Sequence, residues 1–273
     1  MNVDVGGVPI AYALRGDGPP LVLIAGTGFP GATWDDDLVG PLARQHTVLT
    51  FDHRGTGSTP VTAERLSTRL FARDAVGLMD ALGLPAAHVL GHSMGGRVAQ
   101  WIALERPDRV RTLILAATGP GQFRDDRLVT RGIPVHTAKG LIELGYERYM
   151  REHLAATFFT PEFVAAHPER VERLFRLFWE HRPDLEGYLR HVVARQEHQT
   201  ADRLAELTMA SLVLIGDRDT QVMGTGSHTE QSVYLLDHLP NAQLRTVEDT
   251  AHGYFWQRPE RSTELIREWT APR

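Results

Sequence analysis

Ser93 sits in the run Gly91-His92-Ser93-Met94-Gly95-Gly96, between a short apolar stretch and an amphipathic one. A serine hydroxyl is a weak nucleophile until a neighbouring base takes its proton, and that base works best when a carboxylate fixes its tautomer. The glycines two residues either side of Ser93 suit a sharp strand-to-helix turn, because strand and helix can close on each other only where no Cβ intervenes. Such a turn lifts the hydroxyl above a sheet edge. It also puts the Met94 amide at a helix start, where it can face a developing oxyanion.

The base and the carboxylate are expected downstream, in the order serine, acid, histidine. After the apolar run 212–215 comes Gly216-Asp217-Arg218-Asp219, which offers two carboxylates just past a strand end. After 243–247 comes Asp249-Thr250-Ala251-His252-Gly253. Of the 13 histidines, His252 alone follows a late strand and precedes the final helix. His136, His181, His191 and His198 read as ordinary surface or core residues.

Positioning three such groups on one sheet edge requires strands that point the same way. Candidate strands are 10–14, 21–25, 47–51, 88–90, 112–116, 212–215 and 243–247. Several are apolar at consecutive positions, as in Leu21-Val22-Leu23-Ile24, which is how a strand covered on both faces reads. Helical periodicity fills 66–82, where Phe71, Ala75, Leu78, Met79 and Leu82 share a face, and 94–105, which Pro107 stops. A last helix carries Leu265, Ile266 and Trp269. Strand–helix alternation of this kind predicts an α/β fold with a mostly parallel sheet flanked by helices. The alternation fails over 119–207, where helical stretches are expected at 135–155, 161–180 and 185–198. The predicted organisation is therefore a core of 1–118 and 208–273 with a helical cap inserted at 119–207.

In these motifs the chain resembles the α/β-hydrolase fold superfamily of serine hydrolases, from about residue 8 to 269. The family's Gly-x-x-Asp pattern matches Gly216 and Asp219, so the resemblance implies Asp219 rather than Asp217 as the acid, beside Ser93 and His252. Asp52-His53-Arg54-Gly55-Thr56-Gly57-Ser58 is similar to the family's D-x-R-G-x-G-x-S turn and is read as a structural buttress. Ala25-Gly26-Thr27-Gly28-Phe29 stands where relatives carry His-Gly before the oxyanion hole. The resemblance puts the second oxyanion N–H on Thr27, beside that of Met94, with Gly28 and Phe29 as neighbouring alternatives.

The implied activity is hydrolysis of a small carboxylic ester or lactone without a cofactor or metal. Members like 3-oxoadipate enol-lactonase and aclacinomycin methylesterase look nearest. Carbon–carbon bond hydrolysis, cofactor-free peroxidation and thioester hydrolysis share the same triad. A non-catalytic ligand receptor of this fold is the more distant alternative.

Rival chemistries have thinner support. Gly26-x-Gly28-x-x-Gly31 with Asp52 mimics a dinucleotide fingerprint, yet Asp35, Asp36 and Asp37 crowd the helix start where a pyrophosphate would sit. No H-E-x-x-H or phosphate-loop motif occurs. With no cysteine in 273 residues, disulfides, thiolate metal sites and a cysteine nucleophile are excluded. The net charge of −5 advertises neither nucleic acid nor an anionic membrane. No apolar run approaches the ~20 residues that span a bilayer, and the first residues lack a signal-peptide pattern. A cytoplasmic location is the expectation.

Overall fold

Leu21 and Leu23 pack into one apolar cluster while Val22 and Ile24 pack into another, on the opposite face of the sheet. That division is the physical reason for apolar residues at consecutive positions. The computed structural model describes residues 1–123, 131–220, 222–223 and 226–271. The sheet contains β1 (Asn2–Val5), β2 (Val8–Arg15), β3 (Pro20–Ile24), β4 (Thr47–Phe51), β5 (Ala87–His92), β6 (Val110–Ala116) and β7 (Ser211–Gly216). A two-residue ladder, β8 (Val222–Met223) against β9 (Gly226–Ser227), precedes the last strand of the sheet, β10 (Ala242–Val247). The strand order is β1-β2-β4-β3-β5-β6-β7-β10. Strands β4 to β10 in that order pair in parallel, while β1 with β2 and β2 with β4 are antiparallel.

The α/β class with a mostly parallel sheet is thus the observed architecture. The hairpin at the edge extends it. β1 has no continuous apolar run, only alternating exposure, and it turns into β2 through Gly6 and Gly7, both at positive φ. An edge strand needs only one buried side, so its sequence signal is weak.

Helices α1 (Asp36–Ala43), α2 (Thr68–Ala81) and α3 (Met94–Glu105) follow β3, β4 and β5. Between β6 and β7 lie α4 (Val135–Leu144), α5 (Tyr146–Phe158), α6 (Pro161–Ala166), α7 (Pro168–Glu180) and α8 (Leu185–Gln196). The expected helix 135–155 is two helices, broken at Gly145 with φ 74°. The expected 161–180 is broken at His167, because Pro168 lacks an N–H and drives the preceding residue out of helical geometry. After β9 come α9 (His228–His238), α10 (Tyr254–Gln257) and α11 (Pro259–Thr270). Among the described residues no helix is long and apolar enough to cross a membrane.

The charged turn after β4 fastens this scaffold together. Asp52 accepts hydrogen bonds from the Gly31 and Ser58 amides at 2.7 and 2.8 Å. Arg54 makes a bidentate pair with buried Asp74 of α2, both contacts at 2.7 Å. His191 of α8 donates Nε2–H to the Arg54 carbonyl at 2.8 Å and accepts the Gly28 amide at Nδ1, 3.3 Å away. A neutral imidazole is required for that pairing, since Nδ1 must keep its lone pair. His198 likewise lies between the Thr68 and Thr200 hydroxyls.

Burial holds these histidines neutral: it pushes His191 down to about 4, His53 to about 3, and His198 well below the usual value of 6.5. Below pH 6.5 the unfolded chain therefore binds protons that the native protein refuses, and stability falls as pH drops. Three such groups give a limiting loss of about 4 kcal/mol per pH unit. Urea titrations should show the midpoint dropping steeply between pH 6.5 and 5 and little change between pH 7 and 8. A flat midpoint across the acid range would contradict the neutral-core assignment.

Candidate active site

Ser93 occupies a left-handed conformation, φ 56° and ψ −118°, in the turn from β5 into α3. A non-glycine residue there carries about 1–3 kcal/mol of strain and persists only when its surroundings fix it. Here they do. The Ser93 amide donates to the Ala116 carbonyl at 2.8 Å, and the Ser93 carbonyl accepts the Thr118 hydroxyl at 2.7 Å. A Cβ on Gly91 would collide with the Gly95 carbonyl, and one on Gly95 would collide with the Ile24 carbonyl of β3. The missing side chains let three backbone segments meet beneath the serine.

The turn after β7 buries Asp219 between two imidazoles. Its Oδ2 accepts from His252 Nδ1 at 2.7 Å and its Oδ1 from His228 Nδ1 at 3.0 Å. The two rings stack, with centroids 4.3 Å apart. Burial alone would raise the Asp219 carboxyl, but the two imidazoles outweigh it and hold the group well below the usual carboxylate range. The acceptor is therefore an anion and each Nδ1 carries a hydrogen, which leaves His252 Nε2 as the basic position. Asp217 lies elsewhere: its Oδ1 accepts the Thr250 amide at 3.1 Å.

The backbone of His252 is fixed from both sides. His92, from the elbow, donates Nε2–H to the His252 carbonyl at 2.9 Å. The His252 and Gly253 amides donate to the Thr157 and Phe158 carbonyls of α5 at 3.3 and 2.7 Å. Phe158 adds an edge-to-face contact with the His252 ring, centroids 5.1 Å apart. The helical block therefore helps to place the imidazole.

Of the three amides considered after β3, two are already engaged. Gly28 donates to His191 and Phe29 to the Gly26 carbonyl. Among the described residues the Thr27 and Met94 amides have no hydrogen-bond partner. Gly28 faces the Tyr188 ring and Gly31 packs on the Phe51 backbone, while Asp52 takes the Gly31 amide. The glycines that mimicked a dinucleotide fingerprint thus pack against protein.

Ser93, His252 and Thr27 line one small cleft of about 50 Å³, closed on its far side by α4, α5 and α8. His228, His136, His153, Tyr149, Tyr188 and Arg195 also line it. None of these was marked by the sequence, and His136, read there as an ordinary residue, faces the cleft. They come from four helices, α4, α5, α8 and α9, with no shared motif, so only the packing of these helices over the sheet assembles them. The cluster Asp219, His228 and His252 is also a donor set within 4.8 Å. Both carboxylate oxygens are nonetheless already engaged by Nδ1–H groups.

The alpha/beta hydrolase fold family matches residues 19–259, and the chain belongs to that family and is a hydrolase by class. A protein of Pseudomonas savastanoi pv. phaseolicola, named as a carbamate hydrolase (RutD), is 31% identical over 240 residues, covering 87% of this chain and 88% of its own. The enol-lactonase from Burkholderia xenovorans LB400 superposes with a TM-score of 0.85 at 21% identity, covering 98% of this chain and 99% of its own. A thermophilic esterase from Thermogutta terrifontis superposes with a TM-score of 0.81 at 25% identity, covering 98% and 97%.

His228→Ala leaves Asp219 Oδ1 buried without a donor, which costs about 1–3 kcal/mol. The urea midpoint should fall accordingly, and His228→Asn, whose amide can donate from nearly the same place, should recover part of the loss. Equal midpoints for wild type and His228→Ala would remove His228 from the carboxylate's support.

Proposed function

We propose that the protein is a serine hydrolase of small carboxylic esters or lactones, acting through Ser93, His252 and Asp219. The observation that carries the reading is the charged, buried Asp219 bonded to His252 at 2.7 Å, with His252 and the strained Ser93 lining the same cleft. In this reading His252 Nε2 takes the hydroxyl proton as Ser93 Oγ bonds to the acyl carbon. The carbonyl π electrons move to the oxygen, which the Thr27 and Met94 amides receive, each such donor being worth about 3–4 kcal/mol. Collapse of the tetrahedral intermediate expels the alkoxide, which takes the proton from His252. Water then attacks the acyl-enzyme and gives a proton to His252; the second tetrahedral intermediate collapses, Ser93 Oγ leaves and takes that proton from His252, and the acid is released.

Asp219 holds the imidazole in the tautomer that this sequence needs and offsets the charge of the imidazolium. Residues 119–207 act as a cap over the core of 1–118 and 208–273, excluding water from the cleft. A carbamate carbonyl could be attacked by the same steps, and the name carried by the relative in Pseudomonas makes it the second substrate class to test.

Ser93→Ala should lower kcat on an activated ester by about 10⁴-fold or more while leaving the urea midpoint close to wild type. Residual activity within tenfold of wild type would sink the reading. Asp219→Asn should approach the same loss, because the amide stabilises the wrong tautomer. Asp217→Asn should stay within a few-fold of wild type, and a reversal of that pair would reassign the acid. Incubation with a chelator should leave kcat/KM unchanged. Activity lost to the chelator and restored by zinc would instead assign Asp219, His228 and His252 to a metal.

A further inference from the structure

Arg195, in the last turn of α8, lines the cleft together with Ser93 and His252. Among the described residues it forms no ion pair, and its buried Nε has no hydrogen-bond partner. Among the described residues, those lining the cleft include no aspartate or glutamate. Asp219 stands behind the two histidines with both oxygens engaged. The groups facing the guanidinium are the phenols of Tyr149 and Tyr188, and burial raises that of Tyr188 above its ordinary value, so it stays uncharged. His153, pushed down to about 4 by burial and by Arg195 itself, is neutral as well.

A second arginine, itself buried, adds to the positive field. Arg97 donates to the Arg195 carbonyl at 2.6 Å and to Gln231 Oε1 at 3.3 Å, and likewise forms no ion pair among the described residues. A guanidinium does not shed its proton at neutral pH, so the charge remains and must be met by something. An isolated buried charge costs several kcal/mol, and an anion delivered with the substrate would offset that cost on binding.

We infer that the cleft takes an acyl substrate bearing its own carboxylate, held by Arg195 while the ester or lactone carbonyl lies at Ser93. A single guanidinium matches a singly charged group, and its planar fork fits a carboxylate in bidentate fashion. The inference rests on Ser93 being the nucleophile, and it goes further by fixing the charge of the substrate. It also assigns Arg195 as the residue that selects it.

The test compares monomethyl esters of the four-, five- and six-carbon dicarboxylic acids with the matching dimethyl esters, each read as kcat/KM. Wild type should favour the monoester by at least tenfold at one or more chain lengths. Arg195→Met should bring that ratio to about one, and Arg195→Lys should keep part of it. Ratios at or below one for every length in wild type overturn the inference, and this holds even if Arg195→Met fails to fold. Fluorophosphonate labelling of wild type, run alongside, reads the nucleophile separately. If Ser93 is not labelled, the serine reading falls, and the carboxylate site is then decided by calorimetric titration of Ser93→Ala with glutarate. Saturable binding that Arg195→Lys weakens supports the site, and no binding overturns it.

Discussion

The close approach of backbone at Ser93 is the constraint on which the site depends. Three segments converge there: the end of β5, the first turn of α3, and the carbonyl end of β3 at Ile24. Any side chain at Gly91 or Gly95 would hold them apart. With them together, the serine is forced to positive φ, and the Thr27 and Met94 amides, unpartnered among the described residues, sit at the edge of the sheet. Strain at Ser93 is affordable because the core beneath it is fully buried on both faces.

From that edge outward the polar groups form a chain of donors around one anion. His92 reaches the His252 carbonyl, His252 reaches Asp219, and Asp219 is closed off by His228. Low local polarity makes each of these contacts stronger and each missing partner more costly. A carboxylate shared between two imidazoles cannot rotate away from either, so His252 keeps its orientation without help from substrate. Arg195 is the opposite case: a half-buried charge left open to the cleft and facing, among the described residues, no anion.

The helical block takes part in the site's construction as well as its shielding. Thr157 and Phe158 hold the backbone of His252, and His191 links α8 to both the Gly28 loop and the Arg54 turn. Movement of these helices would therefore disturb the base and the amides after β3 together. That coupling ties the acid sensitivity of the buried histidines to the geometry of the cleft.

What the sequence determined by itself was whatever local sterics dictate. The strand–turn–helix around Ser93 was legible because glycine spacing decides that turn within six residues, and the parallel sheet was legible because two-sided burial writes continuous apolar runs. Two carboxylates stood open at Asp217 and Asp219 on residue type alone, and resemblance favoured Asp219. The packing puts that residue against His252 and directs Asp217 to Thr250. His228, His153 and Arg195 left no signal, since nothing near them in sequence distinguishes a cleft residue from a core one. Their roles follow from α5, α8 and α9 packing against the sheet, contacts made by residues far apart in the chain. Local pattern carries no record of such contacts, and so only the tertiary structure decided which charge faces the substrate.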